Sequence, residues 1–584
     1  MSTTESRRSK SSKGVKDQPR QRQTEAVRRP AAPQRSWGDW FKRRVAGLLV
    51  FGFIALGTIR IIQTYEVFNH TVDEVAHIAC GMEWLDRGTY KIEDQHPPLA
   101  RVMGALGPYL SGIGMQGVWD KQQDSGGMYG EGQAIFWAGD HYQQTLVLSH
   151  LGILPFFWIA CLAVYFWARR YFGAATGVAA VFLFSFVPSV LAHSSVTTTD
   201  MALTAFMGAV FVAMLLWCEE PTDRRSMIFG TMGALAILSK FSCLAFFPPA
   251  ALAVLAAYLA AGHPRIRQLL ASAKDLLLPA ALALGTAVLV IWAGYRFSYG
   301  PVFFANIKLP APELFSGIKS VWEHNKSGHP SYLFGEHRDF GWWYFFPVAL
   351  GIKTPFPFLL LLFYGAWESV RRWKEKAGAF LFPLCFSLAV LGVGMAGQIN
   401  VGVRHILPVY IGFSITAAIG AVRLYEIGRT VSWAKWFLWV CIGWMAYTSL
   451  AAHPDYIPYF NLLVADEPET APGLHGPEKI LADSDLDWGQ DMRRLATRLK
   501  EKGIGHFSMI PLIFDDYGKD GLPPLDWGKA DHPNPGWNAV SITMWLNMRM
   551  GVAHPWPDYT NVQPVEHVGK GILLYYFPEK PGGS

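Results

Sequence analysis

Eleven runs of mainly apolar residues divide the chain, at 45–62, 146–167, 174–192, 201–218, 227–239, 242–261, 276–295, 344–365, 379–396, 406–422 and 433–451. A helix needs about 20 such residues to cross the hydrocarbon of a bilayer, so all but the fifth run have the length of a membrane span. The fifth is short and shares the break "SKFS" with the sixth, which leaves the count uncertain at that pair. Three long polar stretches separate or follow the runs, at 63–145, 296–343 and 452–584. Loops of that length are usually functional, and the last one holds the apolar, β-branched and aromatic runs "HFSMIPLIF", "AVSITMWL" and "GILLYYF". Short strand-like runs separated by Gly, Pro and Asp predict a small mixed α/β domain there.

Charge orients the spans. Residues 1–44 carry 13 Lys or Arg against 4 acids and almost nothing to bury, which predicts a disordered basic tail. The short loops "ARRYFG", "EEPTDRRS", "HPRIRQ" and "RRWKEK" and the stretch 423–435 each hold at least two basic residues. The alternate loops "AHSSVTTTD", "SKF" and "GQINVGVRH" hold none, one and one. Basic loops stay cytoplasmic, so the N-terminus is expected inside, and the three long stretches and the C-terminus outside. The basic tail then reads as an orienting segment that touches anionic lipid rather than nucleic acid. Composition agrees with a multi-pass plasma or inner membrane protein, with 51% hydrophobic and only 16% charged residues and 23 Trp. No small-residue cleavage site follows the first run, so a signal peptide is not expected. The six cysteines form no CxxC pair.

Candidate chemistry lies in the long stretches. "TVDEVAH" places Asp73 and Glu74 within about ten residues of the first span. Adjacent acids there read either as first-turn residues of a short helix or as a functional pair, since carboxylates at a membrane boundary are costly unless paired or used. His70, His77 and Cys80 lack an established zinc spacing. Asp483, Asp485 and Asp487 begin like a calcium loop, but Trp488 and Arg494 stand where that loop needs Gly and Glu. No metal site or cofactor is assigned on this basis, and a divalent cation is left open. The histidines of "HNKSGHPSYLFGEHRD" suit a mobile lid better than a metal site.

The motifs resemble those of one family. Asp73-Glu74, then Gly88 and Tyr90, then His96 to Leu99 ("HPPL") look like the first outer loop of family 39-type glycosyltransferases. These are the protein O-mannosyltransferase and aminoarabinose-transferase relatives with the GT-C membrane fold. "ARRYFG", "AHSSVTTTD", "SKFS", "PSYLFGEHRDFGWWYFFPVALGIKTPFP", "GVRHILPVY" and "LADSDLDWGQDMRRLA" continue the likeness in order through residue 495.

The resemblance implies a transmembrane domain over 45–451, an extracytoplasmic domain over 452–584, and transfer of a sugar from a polyprenyl-phosphate carrier to an acceptor outside. That acceptor is a protein, a lipid or a glycan. Asp73 would be the general base, with Glu74 supporting it and inversion at the sugar. A phosphate leaving group needs cations, and Arg404, Lys353, Lys240, His96 and Arg101 are the candidates. Asp200, His405, Asp485, Asp487 and Trp488 would complete the substrate cavity, Trp488 by stacking on sugar or acceptor. A transporter of lipid-linked sugars is the competing class. It predicts paired repeats, and none is evident.

Overall fold

A computed structural model describes residues 37–262, 273–464, 476–513, 515–529, 532–548 and 563–578. Most of the basic tail, residues 1–36, lies outside the described residues. Residues 46–584 form one compact unit, separate from the unit Met1–Val45.

Each predicted span falls on a helix or a bent pair of helices. Among the described residues six helices are long and apolar enough to cross a membrane: Arg44–Thr64, Tyr142–Phe172, Asp200–Glu219, Ser242–Ala260, Lys274–Gly294 and Val409–Gly428. Two pairs pass only together, Ala174–Ser185 with Pro188–Ser194, bent by 68°, and Phe345–Lys353 with Phe356–Arg371, bent by 117°. Pro188 and Pro355 stand at these breaks, where a ring in place of the N–H ends the preceding helix. The count of spans by length and apolarity is therefore six, or eight with the bent pairs, against the eleven expected. The other three expected spans lie on Asp223–Ser239, Phe382–Ala396 and Ser432–Ala451. The first of these opens on Asp-Arg-Arg and the second has only 15 residues.

Stacked aromatic rings fill the bundle core: Trp167 lies 5.9 Å from Phe211, which meets Phe386 at 4.6 Å. Glycines bring helices into backbone contact, as small residues do between membrane helices. A Cβ on Gly365 would collide with the Thr416 carbonyl, and one on Gly412 with the Pro383 carbonyl.

The segment 63–145 is mostly helical rather than a loose loop, with Val72–Met82, Pro98–Leu110 and Ser125–Phe136 packed together. Here too glycines set the spacing. A Cβ on Gly81 would strike the Arg101 carbonyl, one on Gly132 the Val75 carbonyl, and one on Gly152 the Met103 carbonyl.

The C-terminal domain is a five-stranded mixed sheet in the order Leu525–Trp527, Phe507–Ile510, Gly536–Ser541, Ile572–Phe577, Glu566–Val568. The first three strands are parallel, and Ile572–Phe577 runs antiparallel to both its neighbours. Period-two alternation gives the sheet two apolar faces. Met509, Ala539 and Leu574 pack on Met492, Leu495 and Leu499 of the helix Met492–Glu501. Ile510, Val540, Leu573 and Tyr575 pack with Leu486 and Tyr332. "ITMWL", expected to extend a strand, forms the helix Ile542–Met548.

Candidate functional site

Where a chain crosses back and forth, the C-terminal end of one span meets the N-terminal end of the next. Asp73 follows the first span, Asp200 opens the helix Asp200–Glu219, Lys240 ends Asp223–Ser239, and Arg404 precedes Val409–Gly428. The structure brings these four together. Arg404 Nη1 donates to Asp73 Oδ2 at 2.8 Å and lies 3.8 Å from Asp200 Oδ2. Lys240 Nζ donates to Asp200 Oδ1 at 2.6 Å. The result is a row of alternating charge: Asp73, Arg404, Asp200, Lys240.

Arg404 is held from three sides. Its Nε donates to Ser484 Oγ at 3.0 Å, and its guanidinium lies 4.2 Å over the Trp488 ring. The preceding turn is fixed by Val403 N–H, which donates to both oxygens of Asp485 at 3.2 Å. Gly402 has φ +138° there, and a Cβ on it would press on Ser484 Oγ. Burial works against the Arg404 charge, but Asp73, Asp200 and Asp483 offset it and raise its pKa. Among the described residues its Nη2 makes no hydrogen bond and stays available.

These groups border a cavity of about 300 Å³ lined by Asp73, Lys240, Arg404, His405, His77, Glu93, Gln95, His96, Arg101, Tyr129, His324 and His329, among others. That is the low end of the range for small-molecule sites. On its far wall Pro97 caps and Pro98 opens the helix Pro98–Leu110, so "HPPL" is a helix start that aims Arg101 inward. Arg101 is buried and fully engaged. Nε donates to His77 Nδ1 at 3.0 Å, Nη1 to Tyr90 Oη at 3.0 Å, and Nη2 pairs with Glu93. Burial, followed by the charge of Arg101, holds His77 well below its usual pKa. Burial does the same for His405 beside Lys240 and Arg404, and lowers His96 despite Glu93. His77, His96 and His405 are therefore held toward the neutral form, while Lys240 and Arg404 stand as cations next to Asp73.

Of the residues read from sequence, Asp73, Arg404, Lys240, His96, Arg101 and His405 line the cavity, and Asp200 stands directly behind it. Five others lie elsewhere. Glu74 is fully buried: it accepts from Thr71 N–H at 2.6 Å, Thr197 N–H at 2.5 Å and His150 Nε2 at 2.6 Å. Lys353 donates to the Ile457 and Asp485 carbonyls, both at 2.6 Å, and ties the C-terminal domain to the bundle. Asp485 anchors the Arg404 turn, as described. Asp487 accepts from Thr543 N–H at 3.2 Å and from the Ser541 hydroxyl at 2.5 Å. Trp488 is buried beneath Arg404 and cannot reach a sugar in this state.

Glu93, Gln95 and Tyr129 were not singled out from sequence. The only hint was the spacing of Glu93 three residues before His96. Among the described residues no group of three His, Cys, Asp or Glu side chains is placed to hold a metal ion.

Glu74 joins the Asp73 helix to the "TTTD" turn that carries Asp200. Burial raises its pKa, but His150 and the amide donors outweigh this and hold it below the usual Glu value. Because the folded pKa is depressed, the stability from Glu74 is present at neutral pH and lost as pH falls through that value. Glu74→Gln removes the charge paired with His150 and turns an amide donor toward at least one buried N–H group, so a loss of about 3–5 kcal/mol is expected. Thermal unfolding of the variant in detergent checks this, with Asp73→Asn unfolding near the parent temperature.

Residues 153–292 match the family model described as dolichyl-phosphate-mannose-protein mannosyltransferase. The match includes Asp200 and Lys240 and stops short of Asp73 and Arg404. No curated protein matches the chain. Among solved structures the chain is similar to ArnT from Cupriavidus metallidurans bound to undecaprenyl phosphate, with TM-score 0.48 and 13% identity over 90% of this chain and 97% of that one. It is also similar to the archaeal oligosaccharyltransferase AglB from Archaeoglobus fulgidus in complex with an inhibitory peptide and a dolichol-phosphate, with TM-score 0.44 and 12% identity over 70% of this chain and 56% of that one. A helical bundle with a small mixed domain at its C-terminal end thus carries, within residues 153–292, a likeness to the mannosyltransferase family that its motifs resemble.

Proposed function

We propose that the cavity transfers a sugar from a polyprenyl-phosphate carrier to an acceptor hydroxyl on the extracytoplasmic face, with inversion. The observation that carries this reading is the Asp73–Arg404–Asp200–Lys240 row, which sets a carboxylate beside two cations at the edge of the bundle. Asp73 Oδ takes the acceptor O–H proton as the acceptor oxygen attacks sugar C1. The bond from C1 to the carrier phosphate breaks, its electron pair goes to the phosphate oxygen, and Arg404 and Lys240 stabilise the charge that develops there. Neutral His77, His96 and His405 donate to and accept from sugar hydroxyls.

Arg404 pairs with Asp73 at 2.8 Å. A donor phosphate on Arg404 competes for that pair and frees the carboxylate for its role as base, so donor binding prepares the base for the acceptor. Asp200 holds Lys240 and faces Arg404 from behind, which fixes both cations at the rim.

The test is reconstitution of the purified chain in vesicles with an isotopically labelled polyprenyl-phosphate sugar and a mixture of protein, lipid and glycan acceptors. The expected result is labelled product with release of an equal amount of polyprenyl phosphate. Movement of intact donor between leaflets without release of polyprenyl phosphate would identify a transporter and overturn the reading.

A further inference from the structure

The segment after Lys274–Gly294 is amphipathic in the inverse sense to a soluble surface. A hairpin of Tyr299–Val302 and Ala305–Pro310 turns at Phe303 and Phe304, and the helix Pro312–Ser327 follows. The inward face of this helix is small or polar. Ser320 Oγ donates to Asp94 Oδ1 at 2.8 Å, Gln95 Nε2 lies 3.1 Å from His324 Nδ1, and a Cβ on Gly317 would collide with the Asp94 carbonyl. Val321 and His324 line the cavity.

The outward face is apolar. Phe315, Ile318 and Trp322 fall at i, i+3 and i+7 and form one stripe. The hairpin tip extends the stripe, with Phe304 5.6 Å from Phe315 and 5.2 Å from Phe303. Tyr299 is 64% exposed, Phe303 57%, Phe304 56% and Trp322 62%, a cluster too large to be scattered surface residues. Two lysines sit among the rings, Lys319 Nζ 5.0 Å over Phe303 and Lys326 Nζ 5.4 Å over Trp322. Aromatic rings mixed with Lys mark the layer between hydrocarbon and water.

Position selects lipid over a protein partner. The hairpin begins five residues after Gly294, a reach of at most about 18 Å even if fully extended. The helix that ends there has mean hydropathy 2.3 and is only 11% buried within the protein, so its sides face lipid. The exposed stripe continues that lipid-facing surface at its end. The segment 296–327 carries Arg296, Lys308, Lys319 and Lys326 against Glu313 and Glu323, a balance that suits anionic head groups.

We infer that the hairpin and the outward stripe of Pro312–Ser327 lie in the interfacial layer of the leaflet at that end of the bundle, bound to lipid head groups, while the inward face walls the cavity. The wall that carries His324 is then positioned by the membrane itself. That a lipid-borne donor enters beneath this wall rests on the proposed transfer reaction. The seating of the wall does not.

The seating is tested on the full chain in phosphatidylcholine–phosphatidylglycerol vesicles, with nitroxide labels at Phe304→Cys, Trp322→Cys and, as an aqueous comparison, Arg338→Cys. Partly exposed Cys218 and Cys385 are first replaced by Ala. Collision with oxygen is expected to exceed collision with a water-soluble nickel complex at 304 and 322, and the order is expected to reverse at 338. Nickel predominating at all three sites would overturn the inference, as would protection of 304 and 322 that appears only on adding an acceptor protein. A further variant, Phe304→Ser/Trp322→Ser, is expected to raise the apparent KM for a long-chain donor in vesicles and to leave that for a short-chain, water-soluble donor unchanged. An equal rise for both donors would contradict a membrane role. The label readout needs no transfer activity, so failure of the seating and failure of the enzymatic reading are separable.

Discussion

Asp73→Asn is expected to reduce transfer by about 10²–10⁴-fold, the contribution typical of a positioned general base. The amide keeps the shape of the carboxylate but cannot take a proton from the acceptor. It also removes the charge that pairs with Arg404 at 2.8 Å. Donor affinity is therefore expected to hold or to rise, because the cation no longer has to leave a carboxylate to meet the phosphate. Single-turnover transfer of labelled sugar, read alongside a donor-binding titration, separates the two effects. Near-parent transfer by the Asn variant would exclude Asp73 as the base. Glu74 offers no substitute, since it is fully buried, lies outside the cavity lining and is taken up by Thr71, Thr197 and His150.

Arg404→Ala acts on binding instead. A charge-assisted hydrogen bond contributes about 1.5–3 kcal/mol, so the donor Kd should rise roughly 10- to 150-fold. Turnover at saturating donor should fall as well, because the same cation stabilises the leaving phosphate. Arg404→Lys should recover only part of the loss. An ammonium keeps the charge but lacks the flat face that lies on Trp488 and the second nitrogen that holds Ser484. Unchanged donor affinity in the Ala variant would assign the phosphate to another group, with Lys240 the next cation on the cavity wall.

Much of this arrangement was legible in the sequence because its signals are local. Runs of apolar residues each fell on a helix or a bent pair of helices. The strand-like runs of the last domain found three of its five strands. What the sequence did not disclose is pairing. Asp73 and Arg404 are 331 residues apart, and nothing in "VDEVAH" or "GVRH" points from one to the other.

The same limit misplaced several side chains. Lys353 looked like a free intramembrane cation, yet two backbone carbonyls more than a hundred residues away satisfy it. Trp488 looked like a sugar platform because aromatic residues often are, but here it backs the guanidinium of Arg404. The carboxylates of "ADSDLDWG" turned inward for a related reason. Buried N–H and hydroxyl groups of Val403, Ser541 and Thr543 need acceptors, and Asp485 and Asp487 supply them. At two prolines one apolar run holds two helices at a steep angle, which periodicity alone did not disclose.

Gly81 and Gly132 of the 63–145 segment, with Gly152 just beyond it, have a mechanical consequence. At Gly81, Gly132 and Gly152 there is no room even for a methyl group between one helix and the next backbone. Helices in such contact cannot slide past one another by a fraction of an ångström without a clash. The side of the cavity that carries Asp73 and Arg101 is in this sense an anvil, stiff in every direction. The facing side meets it at one such glycine, Gly317, and through hydrogen bonds of 2.8 and 3.1 Å, so it is braced at fewer points. With its outward stripe seated in lipid as inferred above, that wall would take up a change in bilayer thickness before the Asp73 carboxylate moved.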